Sequence, residues 1–383
     1  MMAAAATMLA ACSQTDFVNE VPESAPQAIG FETVMKKTTR AGETAENSTA
    51  PYSWLLSDHH ESFSVWGHKL VGDESTQVFN GVTVSRNVNS WTYITEDVNP
   101  VYWDKAASQY DFYAVAPVAA DLDLWQLNNA ADFDDSHKHY ITTKKDFTVE
   151  SHNAATYKSA ATTGNATQSF KGLEKATDLM IAAPTTVQNA NFGKDVQLNF
   201  IHILSRLNVT VTTNLDGVKI TKIVVGNLKS TGDFNETGKF TDDATAVDAA
   251  TLKAGTYKRW NLESDLVQYT AGEQELTSGL KLIAIESLVM PQLASYDGEL
   301  DLHATTFENE EAYLYIEYTI NGETYKRAYN LADTFNADGE SDLALNEGWQ
   351  YTLELTIGAS VINFTTNVAE WANYTPGGLQ EIM

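Results

Sequence analysis

Cysteine is nearly absent: Cys12 is the one thiol in 383 residues. A single cysteine makes no intrachain disulfide, and a single ligand makes no zinc site. A thiol nucleophile would need a base and an orienting partner, and would rarely sit at the end of a chain. Its role therefore falls outside the fold, in processing or attachment. Positive charge is scarce as well, with 24 basic against 51 acidic residues and a net charge of −27. Such a surface repels nucleic acid and anionic headgroups, so neither is an expected partner. No apolar run approaches the ~20 residues of a membrane-spanning helix. The sequence also has no G-x-S-x-G elbow, Walker A loop, H-E-x-x-H or G-x-G-x-x-G, so it points to neither an enzyme nor a cofactor.

What is there begins with material for cores. Hydrophobic residues make up 43% and aromatics 10%, in a chain long enough for two or three domains. The N-terminus is an apolar run, MMAAAATMLAA, ending in small residues, which has the composition of a secretory h-region. Leu9-Ala10-Ala11-Cys12 resembles the lipobox of bacterial lipoproteins. That resemblance makes residues 1–12 a signal segment and Cys12 the lipid-modified first residue of the mature chain. No Lys or Arg precedes the run, so the charged n-region is expected further upstream. Residues 13–27, SQTDFVNEVPESAPQ, are polar and carry two prolines; they read as a tether.

From Ala28 onward the pattern is β. Ile29, Phe31, Thr33 and Met35 alternate with Gly30, Glu32 and Val34, the period of a half-buried strand. Further strands are expected at 63–66, 77–79, 91–94, 110–115, 198–211, 219–225, 312–320, 324–329, 351–357 and 361–365. Asn321-Gly322 joins YLYIEYTI to ETYKRAYNL and predicts a tight hairpin, because both residues tolerate positive φ. Helical periodicity is weak, so an all-β fold of sandwich type is expected. The boundary between an N-terminal domain at 28–195 and a C-terminal one at 196–383 is set just before QLNFIHILSRLNVTV. Residues 151–169, rich in Ala, Thr and Asn, read as a long loop.

Candidate sites outside this pattern are weak. His59 and His60 are adjacent and would point to opposite faces of a strand. Asp132, Asp134, Asp135, His137 and His139 form an acidic group without a recognised metal-loop spacing, so no metal is assigned. His202 sits inside an apolar strand and reads as a satisfied histidine. Trp66, Trp91, Trp103, Trp125 and Tyr102 fit either a sugar-stacking platform or a sandwich core.

Several stretches together resemble the fimbrillin family, type V pilins and related surface lipoproteins of Gram-negative anaerobes. They are the lipobox at Leu9–Cys12, AIGFETVMKKTTRA at 28–41, VYWDKAASQYDFYAVAP at 101–117, DLMIA at 178–182 leading to FIHILSRL at 200–207, and 348–371 with Trp349, Tyr351 and Trp371. The resemblance implies two tandem β-sandwich domains of transthyretin-like type. It also implies a lipidated precursor at the outer membrane, cut by an arginine-specific protease at Arg40-Ala41. The first strand, with Ile29, Phe31 and Met35, would then leave, and a neighbour's C-terminal segment would replace it. Here the donor candidate is 361–383, in which Ile362, Phe364, Thr366 and Val368 share one face. Burying one large apolar side chain is worth ~1.5–3 kcal/mol, so an empty groove costs on the order of 5–8 kcal/mol and favours a replacement strand. Head-to-tail contact propagates into a filament. The ending NYTPGGLQEIM departs from this picture, since Pro376 and a Gly-Gly pair weaken any strand there. The implied partners are other fimbrial subunits, and the implied role is adhesion to host or bacterial surfaces. The alternative is a non-polymerising, glycan-binding surface lipoprotein. A glycosidase, needing two carboxylates ~5–9.5 Å apart in a cleft, ranks third.

Overall fold

A computed structural model of the chain describes residues 27–35, 62–87, 90–95, 98–118, 123–129, 139–149, 160–162, 165–167, 178–236, 259–271, 273–295, 307, 311–335, 342–359 and 361–370. The fold is all-β. In the first half of the chain the strands are β1 (Phe31–Met35), β2 (Ser62–Val71), β3 (Glu74–Asn87), β4 (Ser90–Thr92), β5 (Gln109–Ala116), β6 (Trp125–Asn129), β7 (His139–Thr143), β8 (Phe147–Thr148), β9 (Ala160–Thr162), β10 (Asn165–Thr167), β11 (Met180–Gln188) and β12 (Val196–His202). There follow β13 (Ser205–Thr213), β14 (Val218–Lys229), β15 (Thr231–Phe234), β16 (Trp260–Leu262), β17 (Leu266–Ala271), β18 (Gln274–Glu275), β19 (Leu282–Val289) and β20 (Gln292–Ser295). The last are β21 (Tyr313–Ile320), β22 (Glu323–Asn330), the one-turn helix α1 (Leu331–Phe335), β23 (Asp342–Leu345), β24 (Trp349–Ile357) and β25 (Ile362–Glu370).

The first large sheet runs β1-β12-β11-β5-β2-β3-β4, with β1 parallel to β12 and the other pairs antiparallel. It curls until its two ends meet, and one face closes over a core that includes Phe31, Phe63, Phe79, Trp91, Phe112 and Phe200. The side chains of alternate residues point to opposite faces. On β5, therefore, Tyr110, Phe112 and Ala114 face this core while Tyr113 and Val115 face outward.

Two further sheets, β19-β13-β24-β25 and β17-β14-β21-β22, pack over a second core built from β13, β14, β21 and β24. The expected hairpin is present: β21 and β22 pair from Tyr313↔Asn330 to Ile320↔Glu323, and Asn321 and Gly322 take φ of 51° and 89°. A third core joins the halves, with Trp66, Tyr113 and Ile181 from the curled sheet meeting Phe234, Trp260, Leu288 and Met290. The small sheet β16-β15-β8 also spans both halves.

Two expectations need correction. The strand expected at 198–211 is two strands in different sheets, since β12 pairs with β1 and β11 while β13 pairs with β19 and β24. Sheet membership therefore changes at Ile203-Leu204. The reason lies in the alternation: Leu198 and Phe200 set one phase, Leu207, Val209 and Val211 the other. Ile203 and Leu204, both fully buried, absorb the change without a turn residue. The 151–169 stretch, read as loop, carries the antiparallel pair β9–β10, whose three-residue strands are too short for alternation to register.

Candidate functional site

β1 and the residues just before it fill a slot. The chain enters with Ala28 bridged to Tyr102, the Ile29 N–H donating to the Val101 carbonyl at 2.8 Å, and the Trp103 N–H donating to Gln27 at 3.3 Å. The strand then lies along β12 in parallel register, Phe31↔Val196 through Met35↔Phe200. Ile29 and Phe31 are 1% and 3% exposed, as the period-two reading requires. The Phe31 ring sits edge-on to Phe79, Tyr93 and Phe112, with centroids 5.4, 5.9 and 5.7 Å away. Each such aromatic pair is worth ~0.5–1.5 kcal/mol beyond its burial. The Tyr93 hydroxyl accepts from the Val101 N–H at 3.0 Å, and burial pushes its phenol above its ordinary value. On the outer face Gln197 donates to Glu32.

Beyond the apolar contacts, Thr33 is buried on the same face, and its hydroxyl accepts the indole N–H of Trp91 at 3.1 Å. Sequence reasoning placed Thr33 on the buried face but gave it no role. The signal was a threonine in the middle of an apolar stripe, together with a tryptophan whose N–H needs a partner when buried. The parallel pairing with β12 and the aromatic cage around Phe31 were also unread, because both depend on contacts distant in sequence.

The other expected residues fall elsewhere. Met35 ends β1 opposite Phe200. Cys12, Arg40 and Ala41 lie outside the described residues, as do His59, His60, Asp132, Asp134, Asp135 and His137. Ile362, Phe364 and Val368 belong to β25, the last strand of its sheet, paired with β24 from Trp349↔Glu370 to Ile357↔Ile362. Ile362 is buried and Phe364 half-buried against the second core, with the Phe364 ring 4.7 Å from Tyr329. Val368 is 40% exposed. The structure therefore does not bring the donor candidate and the slot together within one chain.

The tryptophans answer the core-or-platform question. Trp66, Trp91 and Trp125 are buried, Trp103 stacks on Phe192 at 4.7 Å, and Tyr102 alone of the five is exposed. The His202 Nδ1 lies 2.8 Å from the Asp178 carboxylate. His139 stacks on His68 with ring centroids 3.9 Å apart. No group of three or more metal-ligating side chains comes together among the described residues.

An all-β chain whose first strand plugs a curled sheet defines a class of architecture, and comparison of the sequence with known families narrows it. The fimbrillin-like family model matches residues 39–371, and the chain belongs to the fimbrillin-like family. Among solved structures it is similar to a fimbrial protein from Bacteroides vulgatus, at 13% identity and a TM-score of 0.48, with 90% of this chain and 100% of that one covered. It is also similar to cell adhesion proteins, so described provisionally, from Bacteroides uniformis and Bacteroides ovatus. The first shows 16% identity, a TM-score of 0.46 and coverage of 90% and 98%. The second shows 13% identity, a TM-score of 0.47 and coverage of 92% and 100%. No curated protein matches the sequence.

Proposed function

We propose that the chain is a structural, non-enzymatic subunit of a cell-surface fimbria, built of two tandem β-sandwich domains and supporting adhesion. It is exported as a precursor held at the outer membrane by a lipid on Cys12 and trimmed at Arg40-Ala41. It then polymerises head-to-tail by strand exchange. Family membership supports the fimbrial role. The observation that carries the assembly step is the position of β1, an end strand of its sheet that plugs the core with Ile29 and Phe31. The next strand among the described residues begins at Ser62, and Arg40 lies between it and β1 in the sequence. Loss of the plug leaves a hydrophobic slot and an unpaired edge on β12, and both favour an incoming strand.

The test is limited cleavage of the purified chain with an arginine-specific protease, followed by mass spectrometry and electron microscopy. A cut at Arg40-Ala41 followed by filaments is the expected result. Resistance at Arg40, or a cut chain that stays monomeric, would overturn the assembly mechanism.

A further inference from the structure

The hairpin of β6 and β7 packs on the core between the halves through Trp125 and Ile141, and different chemistry holds its two ends. At one end His139 lies flat on His68 of β2, with ring centroids 3.9 Å apart and planes 20° from parallel. The Tyr113 ring of β5 meets His139 edge-on at 5.7 Å, and its hydroxyl accepts the His139 backbone N–H at 3.1 Å. At the other end, β15 and the residues after it grip β7. The Ile141 N–H donates to the Glu236 carboxylate at 2.8 Å, and the Glu236 N–H donates back to the Ile141 carbonyl at 3.0 Å. Thr142 is bridged to Asn235, and the Phe234 N–H donates to the Thr143 hydroxyl at 3.0 Å. Trp125, opposite Thr143 on β6, packs edge-on to Phe234.

We propose that this hairpin is an acid-released strap, whose histidine end lifts off the curled sheet in acid while its clamp on β15 holds. The two imidazoles can share a buried contact only while His68 is uncharged, because a proton there places a charge away from water. A second proton on His139 would add repulsion between the rings. Nothing nearby is set to receive the charge. The His68 Nδ1 is buried with no hydrogen-bond partner among the described residues. Asp111 stands opposite His68 on β5, but its two oxygens already accept from Thr186 and Gln109. The residue opposite on β3 is the uncharged Gln77.

The two ends respond to pH with opposite sign. Burial, then the His139 imidazole, lowers His68 from 6.5 to about 4, and a ring freed from the contact regains its ordinary value. The open state therefore takes up a proton in a range where the closed state does not. By pH 4 this shifts the balance toward opening by a factor on the order of a hundred. At the clamp, burial raises Glu236 against the Ile141 N–H and the Arg259 guanidinium, which lower it; Arg259 is itself paired with Glu347. Burial also raises Asp233, followed by the charge of Asp146, and Glu263 is raised in turn, chiefly by Asp146. Lys144, next to Thr143, is engaged by Asp123. Carboxyls held above their ordinary values bind protons more readily in place than when released, so acid secures the clamp and rising pH weakens it. A fall in pH thus frees one end of the hairpin and leaves it hinged on β15, uncovering Tyr113 and His68.

The experiment measures spin-label distances in the full chain carrying Cys12→Ser, with labels at pairs of exposed positions. Gln77→Cys with Asn129→Cys reports on the histidine end, since Gln77 lies opposite His68 and Asn129 opposite His139. Gln126→Cys with Ser264→Cys reports on the clamp. Between pH 7 and pH 4 the 77–129 distance should gain a longer population, with a midpoint between 6.5 and about 4. The 126–264 distance should keep one population throughout. His68→Phe retains a stacked ring without a site for the proton, and should hold the short 77–129 distance down to pH 4. A 77–129 distance that never changes overturns the proposal, as does release of His68→Phe at the same pH as the native chain. Lengthening of both distances together would mean that the whole region unfolds, and overturns it as well. If His68→Phe does not fold, the native titration decides alone: a midpoint in the stated range upholds the strap, and one outside it sinks the idea.

Discussion

Trp91 and Thr33 lie 58 positions apart in the chain, and the indole N–H of one donates to the hydroxyl of the other across 3.1 Å of buried space. The contact joins β4 to β1, the two ends of the seven-stranded sheet. It closes the curl with a hydrogen bond rather than with ladder pairing. Replacing Thr33 by Val preserves the shape and removes the acceptor, which leaves a buried donor unsatisfied at a cost of ~1–3 kcal/mol. Urea denaturation of Thr33→Val should show that loss, and Thr33→Ser, which keeps the hydroxyl, should show little of it. Equal stability of Thr33→Val and the native chain would mean that the indole finds another acceptor.

A second prediction concerns pH. His68 is buried on β2 and stacked on His139, with Asp111 directly opposite it on β5. Burial, then the neighbouring imidazole, lowers its pKa from the usual 6.5 to about 4. The unfolded chain binds a proton at this side chain below pH 6.5, whereas the folded chain does so only near pH 4. Between those values the unfolded state holds more protons, so stability falls as the pH falls. His68→Gln should flatten this part of the stability–pH profile, measured by urea midpoints from pH 7 to pH 4. An unchanged slope would show that other groups govern the window.

How far the fold was legible in the sequence depends on which residues carried the signal. Ile29, Phe31 and Thr33 announce β1 because one buried face imposes strict alternation. Asn321-Gly322 announces its hairpin because few residue pairs accept two positive φ values in succession. The break between β12 and β13 escaped because Ile203 and Leu204 are apolar and buried; its one trace is the change of phase in the alternation. The slot itself was only half legible. The plug residues are local, whereas the cage of Phe79, Tyr93 and Phe112 is assembled from strands far apart in sequence.

Gly226 gives a prediction about the outer face of the second half. The Tyr313 ring lies over it, so that an added Cβ would collide with the ring carbon Cζ. On its other side the ring stacks on Phe307, with centroids 3.6 Å apart. Tyr313 is held between the two and has little room to retreat. Gly226→Ala should therefore overpack this layer and destabilise the protein by ~1–3 kcal/mol. The double variant Gly226→Ala with Tyr313→Ala should be less destabilised than the sum of the singles. Strict additivity would mean that the ring moves aside freely.

The joint between the halves supplies the last prediction. The Trp260 indole N–H donates to the Ile203 carbonyl at 2.8 Å, at the point where the chain passes from the first sheet to the second. The Ile203 N–H in turn donates to Leu179 at 3.0 Å, so this crossing residue is tied on both sides. Trp260 also packs edge-on to Phe234, whose ring carries the Arg259 guanidinium at 5.2 Å. Trp260→Phe keeps most of the apolar contact but strips the donor from a buried carbonyl, a loss of ~1–3 kcal/mol. Because the lost bond spans the two halves, it should weaken their coupling more than either core. Calorimetry should show one transition for the native chain and a broadened or split transition for Trp260→Phe. A single sharp transition at a lower temperature would instead place the cost within one cooperative unit, with the halves still melting together.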